Sequence, residues 1–144
     1  MALDWTPNIK PVSVGESNPS PRTICKASGW GLTNKEQLML LPNPDLMEID
    51  IEILSNDVCY QSFSWLLFDD TNICGFGRKG CTSLGDSGGP LICKNQISGI
   101  ISFGKKYDCV GSEIGFTSMQ FYHKWILYII LSSEEGKKKK RFHF

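Results

Sequence analysis

The chain has 144 residues, 41% of them hydrophobic, and its 15 basic and 15 acidic residues cancel to a net charge of zero. This length suits one domain with its own core and is too short for two domains of ordinary size. A net charge of zero gives no overall field to attract nucleic acid, so no nucleic-acid partner is expected. The longest apolar run, Trp125 to Leu131, is far below the roughly 20 residues of a membrane-spanning helix, so no transmembrane segment is predicted.

The chain opens with a segment that holds four prolines before residue 24. Proline suits neither a helix interior nor a central strand, so residues 1–24 are predicted to form a linker. The stretch EIDIEIL, residues 48–54, then alternates acidic residues with isoleucine. This period of two predicts a strand with one face in a core and the other in water.

Two β-rich runs follow in GPLICKNQISGIISFG, on either side of the three residues from Lys94 to Gln96. A short turn between such runs predicts a hairpin. Only the segment from Ser118 to Gly136 has a helical pattern, with Phe121, Trp125 and Tyr128 on one stripe. The pattern as a whole predicts an all-β domain closed by one terminal helix.

A basic run, Lys137 to Arg141, lies close to the C terminus. Such a run is compatible with a nuclear signal, an anionic-lipid contact or a heparin patch. The favoured interpretation is a basic, disordered tail over residues 134–144. Its clustered cations predict a salt-sensitive contact with polyanions.

The chain contains six cysteines, an even number that suggests three disulfides and an oxidising compartment. No Cys-x-x-Cys pair occurs, so neither a metal site nor a cofactor is predicted. The first residues carry no basic stretch followed by an apolar run, so no signal peptide is predicted in this chain. Either the cysteines stay reduced or the chain is not the whole of a secreted protein.

The segment GCTSLGDSGGPLIC, residues 80–93, places Ser87 between glycines. A serine nucleophile needs a base, usually a histidine oriented by a carboxylate, and the chain has only two histidines, His123 and His143. Gly-x-Ser-x-Gly is also the nucleophile elbow of the α/β-hydrolases, but an elbow leads into a helix. Because Ser87 precedes proline and strand-forming residues, the other interpretation is a glycine-rich turn between strands.

The longer string GDSGGPL resembles the nucleophile loop of the trypsin and chymotrypsin family of serine proteases. CKASGWG resembles the segment that opens the second barrel of that family. ILSNDVC resembles the strand end and loop that carry the next half-cystine. NICGFG resembles the strand before the specificity pocket, and GIISFG the Ser-Trp-Gly pocket wall with Phe103 in place of tryptophan. GFTS and Trp125 resemble the last strand and the closing helix. The resemblance covers roughly Cys25 to Leu131.

The resemblance implies a fold and a disulfide pattern. Residues 25–133 would form the second antiparallel six-stranded β-barrel of the chymotrypsin-like fold plus a C-terminal α-helix, with the first barrel absent. Residues 1–24 would be the interbarrel linker. The implied disulfides are Cys25–Cys93, Cys59–Cys74 and Cys81–Cys109.

The resemblance also implies roles in the loop. Ser87 would be the nucleophile, and the N–H groups of Gly85 and Ser87 would form the oxyanion hole. In the family, Asp86 forms a buried ion pair with the ammonium of a cleaved N terminus. The family's catalytic histidine and aspartate lie on first-barrel segments, Ala-Ala-His-Cys and Asp-x-Ala-Leu-Leu, that do not occur in this sequence. Without the ammonium, Asp86 is expected to turn into water or to become protonated.

The substrate pocket departs from the family pattern, because Cys81 stands six residues before Ser87 and TSL is inserted ahead of Gly85. Either Lys79 approaches the pocket floor or Cys81 takes that place, and an isoleucine at 114 is expected to make the pocket shallow. A preference for Lys or Arg is unsupported, since no acid stands where one would be needed. The residues assigned to the pocket are Lys79, Cys81, Ser102, Phe103, Gly104 and Ile114.

Three other groups in the sequence are candidate catalytic partners of Ser87. His123 is interpreted as an exposed or capping histidine, and Asp69 with Asp70 as solvated charges in a loop. Asp4 is discounted because its surroundings do not match the family's aspartate segment.

Two hypotheses follow. The first is a serine endopeptidase domain acting on polypeptides, truncated so that this chain lacks the catalytic histidine and aspartate and is inactive alone. The second is a non-catalytic pseudo-protease or barrel fragment that binds a protein partner through the bare interbarrel face. The family and the cysteines predict an extracellular location.

Overall fold

The structure is a computed structural model that describes residues 4–32, 43–63, 68–104 and 111–141. Within these ranges the chain forms seven strands and two helices. In chain order they are β1 (Ser13–Val14), β2 (Ile24–Gly29), β3 (Met47–Ile53), α1 (Asn56–Ser62), β4 (Asn72–Gly77), β5 (Pro90–Cys93), β6 (Gln96–Gly104), β7 (Glu113–Ser118) and α2 (Met119–Arg141).

Strands β2 to β7 form a closed antiparallel barrel. The strand order is β6-β5-β2-β3-β4-β7, and β7 pairs back with β6 to close the sheet. The two-residue strand β1 lies outside and pairs with β6 in parallel, Ser13 opposite Gln96. The predicted all-β fold, a six-stranded barrel with a terminal helix, is confirmed. The segment predicted as a linker nevertheless contributes β1 to the sheet.

The alternating isoleucines of β3 face the barrel core, as their spacing predicts. Ile51 and Ile53 are 0% and 3% exposed, and Ile49 packs against the same cluster. Glu52, on the other face, forms an ion pair with Arg78 at 3.2 Å. One face of the strand is therefore buried and the other is charged.

Strands β5 and β6 form the predicted hairpin, but the turn is shorter than the sequence suggested. Gln96 already pairs with Cys93, so the turn consists of Lys94 and Asn95 alone. Both have positive φ angles, 49° and 62°. A two-residue turn of this hand matches the right-handed twist of the strands.

Two described disulfides fasten the barrel. Cys25–Cys93 links β2 to β5 with Cα atoms 4.5 Å apart, and Cys59–Cys74 links α1 to β4 with Cα atoms 6.0 Å apart. These are two of the pairs implied by the family resemblance. Cys81 is also disulfide-bonded, and its implied partner, Cys109, lies outside the described residues.

The helices differ from the sequence prediction in number and length. The seven-residue α1 was not predicted, and α2 continues to Arg141, five residues beyond the predicted end at Gly136. The segment predicted as a disordered tail is thus helical up to Arg141, and residues 142–144 lie outside the described ranges. No helix among the described residues is long and apolar enough to cross a membrane.

Candidate active site

The loop between β4 and β5 carries Ser87 at the barrel surface. Gly85 and Gly88 have φ angles of +100° and +85°, which side-chain-bearing residues rarely adopt. The N–H of Gly88 donates to the Ile101 carbonyl at 2.9 Å, and the Ile101 N–H donates to the Gly89 carbonyl at 2.9 Å. The glycines turn the backbone sharply, and strand β6 then fixes the end of the loop.

Ser87 and the two predicted oxyanion-hole donors are accessible. Both Gly85 and Ser87 are exposed. Among the described residues, the Ser87 hydroxyl forms no hydrogen bond, and the N–H groups of Gly85 and Ser87 have no acceptor. A hydroxyl and two backbone donors are therefore open to solvent within three residues of chain.

Asp86 points the other way, into the protein. Its Oδ1 accepts a hydrogen bond from the Gly31 N–H and its Oδ2 from the Ser83 N–H, each at 2.8 Å. The side chain is half-buried, and no ion pair to it occurs among the described residues. Two charge-assisted hydrogen bonds thus hold the carboxylate without an ammonium partner. Of the two outcomes predicted for an unpaired Asp86, the turn into water is wrong, because two backbone N–H groups hold the side chain inside. Protonation of Asp86 stays a prediction.

Glycines make room for the Asp86 carboxylate. A Cβ atom added at Gly29 would lie 3.0 Å from Asp86 Cγ, and one added at Gly31 would lie 2.5 Å from it. Both distances are too short for carbon atoms that are not bonded to each other. The Gly-Trp-Gly segment therefore forms a niche for the carboxylate. The Leu32 N–H, donating to the Leu84 carbonyl at 3.0 Å, ties this segment to the loop that carries Ser87.

A cleft of about 360 Å³ opens beside Asp86. Lys79 and Cys81, both predicted pocket residues, line this cleft, whereas Ser102, Phe103 and Gly104 do not. Cys81 is disulfide-bonded. Both Lys79 and Cys81 line the cleft, so the two alignments predicted for the pocket floor stay predictions. The cleft is lined by residues 27–29, 31–32, 47–49 and 79–82, with Asp86 and Ile101.

The remaining pocket residues lie elsewhere. Ser102 and Gly104 are exposed on β6, and between them Phe103 packs edge-on against Phe63 with ring centroids 5.0 Å apart. A Cβ atom at Gly115 would overlap the Phe103 ring, so this ring covers the backbone of β7. The six assigned residues therefore do not form one cavity.

Ile114 requires a correction. It is 2% exposed and belongs to the main core cluster with Phe116. Residues two apart on a strand share a face, so Ile114 faces the barrel interior with Phe116 and does not line an open pocket. The residue of β7 on the Phe103 side is Gly115.

His123 lies near the start of α2, which packs on β6 and β1. It is half-buried, and no hydrogen bond joins it to Ser87 within the part of the chain that the structure describes. The structure thus gives Ser87 no base among these residues.

The acidic pair at 69 and 70 stabilises a surface turn. Asp69 accepts from the Thr71 N–H at 2.9 Å and from the Thr71 hydroxyl at 2.5 Å, and these bonds lower the pKa of the Asp69 carboxyl. Asp70 accepts a hydrogen bond from the Tyr60 hydroxyl at 3.1 Å, which raises the pKa of Tyr60. Each carboxylate is engaged locally, as expected of solvated loop charges.

Comparison with known proteins identifies the family. The family model described as Trypsin matches residues 2–126. This chain belongs to the trypsin family of serine proteases. It is 34% identical to Snake venom serine protease 2 of Protobothrops jerdonii over 135 residues, which are 90% of this chain and 50% of that protein. It is 32% identical to Kallikrein-5 of Homo sapiens over 125 residues, which are 84% of this chain and 41% of that protein.

Solved trypsin-family structures share the fold. The structure of neuropsin, a serine protease expressed in the limbic system of mouse brain, superimposes with a TM-score of 0.77 at 26% identity. The superposition covers 88% of this chain and 56% of the neuropsin chain. The structure of Kallikrein-related peptidase 10 superimposes with a TM-score of 0.73 at 25% identity. The superposition covers 92% of this chain and 62% of the peptidase chain. The chain spans about half the length of the curated relatives it matches.

Sequence reasoning about this trypsin-family chain missed the residues that hold Asp86. The N–H groups of Gly31 and Ser83 are the donors, and Gly29 supplies space. Two glycines around Trp30 do signal a close approach of other atoms to the backbone. Only the structure identifies those atoms as the Asp86 carboxylate.

Proposed function

We propose that this chain is the serine-bearing half of a trypsin-like endopeptidase that cleaves polypeptides. The observation that carries the proposal is the pairing of an exposed Ser87 with two N–H groups, of Gly85 and Ser87, that have no acceptor among the described residues. In acyl transfer the serine oxygen attacks the substrate carbonyl carbon, and such donors stabilise the oxyanion that forms.

The attack also needs a base to take the hydroxyl proton, and we propose that this base belongs to the other half of the protease. Ser87 has no hydrogen-bond partner among the described residues, so its hydroxyl keeps the weak nucleophilicity of a free alcohol. The family's histidine and aspartate segments do not occur in residues 1–144. We therefore propose that residues 1–144 alone have no meaningful peptidase activity.

A chimera tests the proposal. Residues 1–144 fused behind the first barrel of a trypsin-family relative are expected to hydrolyse fluorogenic peptides, and Ser87→Ala is expected to abolish this hydrolysis. Residues 1–144 alone should give the same background rate with and without Ser87→Ala. Hydrolysis by the chimera that survives Ser87→Ala would show that Ser87 is not the nucleophile.

A non-catalytic barrel is the second candidate, and the Asp86 contacts favour it. In the active family arrangement this carboxylate binds an ammonium, yet here it has two backbone donors already. A barrel whose Asp86 carboxylate already accepts two backbone hydrogen bonds needs no ammonium to hold this loop, and a protein-binding module needs no activation. If the folded chimera fails to hydrolyse peptides although the relative's own second barrel restores activity to the same first barrel, the binding module is favoured.

We further propose an extracellular location and a polyanion contact through Lys137–Arg141. The disulfides and the similarity to venom proteases and kallikreins support the location. The five consecutive cations support the contact. Deleting the residues after Gly136 should lower the salt concentration at which the chain elutes from heparin, and unchanged elution would refute the contact.

A further inference from the structure

Helix α2 leaves the barrel soon after it starts. Its N terminus is anchored: the Phe121 N–H donates to the Ser118 hydroxyl at 3.2 Å, and this hydroxyl donates to Asn18 Oδ1 at 2.7 Å. Met119 is buried and Ile126 is half-buried. Every residue from Leu127 to Ser133 is exposed. The helix thus projects from the barrel beyond its second turn.

The projecting part is apolar where a solvated helix would be polar. Five consecutive residues, 127–131, are large, apolar and 41% to 67% exposed. Successive helix positions are about 100° apart, so five of them surround the helix. Together with two exposed aromatic residues of the preceding turns they form an apolar band, which consists of Phe121, Trp125, Leu127, Tyr128, Ile129, Ile130 and Leu131.

The shape of the apolar band favours a fluid apolar medium over a protein groove. A groove covers one face of a helix, whereas residues 127–131 present apolar surface in every direction. A helix at a membrane interface lies in the plane of the membrane and buries its apolar surface about 5 to 10 Å deep, and residues 127–131 offer apolar surface whichever way the helix is rotated about its axis. Trp125 and Tyr128, 63% and 67% exposed, are the side-chain types that collect at the membrane–water interface.

The charged residues that follow the apolar band indicate which kind of membrane the helix would bind. Helix α2 continues through Lys137–Arg141, which holds 5 of the 15 Lys and Arg residues of the chain. Clustered cations next to an apolar helix surface are attracted to anionic headgroups. Glu134 and Glu135 precede this run and reduce the attraction without cancelling it.

We propose that α2 docks the chain on an anionic lipid surface, with the apolar band in the interface and Lys137–Arg141 at the headgroups. This inference rests on the polyanion contact proposed above and assigns it to lipid. A soluble polyanion would engage only the cations and leave the apolar band in water. A lipid surface accommodates both features of the one helix.

Vesicle sedimentation tests the proposal with residues 1–144. The chain should sediment with vesicles of phosphatidylcholine mixed with phosphatidylserine, less with phosphatidylcholine alone, and less as salt rises. The double change Trp125→Ser and Tyr128→Ser should weaken binding about tenfold, because two interfacial aromatic side chains are lost. Trp5→Ser is the matched control, since Trp5 is 66% exposed on another part of the chain, and it should leave binding unchanged.

Heparin retention separates the possible failures. If the double change leaves both vesicle binding and heparin retention intact, the apolar band takes no part and only the polyanion contact stands. If the chain forms a dimer in solution that the double change abolishes while vesicle binding is absent, the band binds a second copy and the proposal is wrong. Loss of vesicle binding with retained heparin binding and an unchanged circular dichroism spectrum is the predicted result.

Discussion

Asp86 shows how one side chain organises the residues around Ser87. Its carboxylate joins the Gly-Trp-Gly segment, through the Gly31 N–H, to its own loop, through the Ser83 N–H. Glycine at 29 and 31 is required because any side chain there would meet the carboxylate. The loop geometry therefore depends on residues more than 50 positions earlier in the chain, a separation of 55 for Gly31 and Asp86.

Gly31→Ala tests this niche. The added methyl group would displace the Asp86 carboxylate, and we expect the free energy of unfolding in urea to fall by about 1 to 3 kcal/mol. In an Asp86→Ala background the same change should cost less, because the overlapping group is gone. Gly104→Ala is the control, since a Cβ there would lie 3.6 Å from the nearest atom, the Glu113 carbonyl oxygen. Equal costs of Gly31→Ala in both backgrounds would contradict the niche.

Tyr60 gives a pH-dependent signal. The hydrogen bond to Asp70 raises the pKa of Tyr60, so the folded chain holds this proton more tightly than the unfolded chain. The stability it adds is present below the ordinary tyrosine pKa of about 10 and is lost as pH rises through the higher folded value. Ultraviolet titration should show a late-titrating component from Tyr60, and Asp70→Asn should lower its midpoint. An unchanged midpoint would mean that the bond does not form in solution.

At the scale of elements, the disulfides hold what local sequence does not. Helix α1 has seven residues, and its N-cap residue Ser55 makes no side-chain capping bond. A helix this short is not stable in isolation. Cys59 and Phe63 are buried with Phe68 and Cys74 in a second core cluster, and this burial, with the disulfide from Cys59 to Cys74 on β4, holds the helix in place.

Replacing the two cysteines of each disulfide by alanine should therefore lower the free energy of unfolding, and by more for the longer loop. Loss of Cys59–Cys74, separated by 15 residues, should cost about 3 kcal/mol of unfolding free energy in the chain-entropy account. Loss of Cys25–Cys93, separated by 68 residues, should cost about 4 kcal/mol. Urea denaturation measures both values. A larger loss for the shorter loop would show that native contacts of α1, and not loop closure, dominate.

The elements also show what the sequence can predict. Strand β3 and the β5–β6 hairpin were readable because alternation and turn residues are local signals. Helix α1 was not, because tertiary contacts stabilise it. The residues assigned to the substrate pocket lie apart for a related reason, because the order of residues along the chain does not tell that Lys79 lines the cleft beside Asp86 and that Phe103 packs on Phe63. The position of Ile114 was predictable from the sequence, since residues 114 and 116 are two apart on a strand and therefore lie on one face.

At the scale of the whole molecule, one barrel has a closed sheet, its own core and an exposed serine loop. The features that would activate the serine are not among the described residues, and the chain spans about half of its curated relatives. The central claim is our proposal that Ser87 is presented but not activated in residues 1–144.

Labelling with a fluorophosphonate tests this claim most directly, because the reagent reports the nucleophilicity of serine without needing a substrate pocket. Intact-mass measurement of residues 1–144 should show slow labelling, at a rate indistinguishable from that of Ser87→Ala. Rapid, stoichiometric labelling that Ser87→Ala abolishes would contradict the claim, because Ser87 would then have a base within this chain.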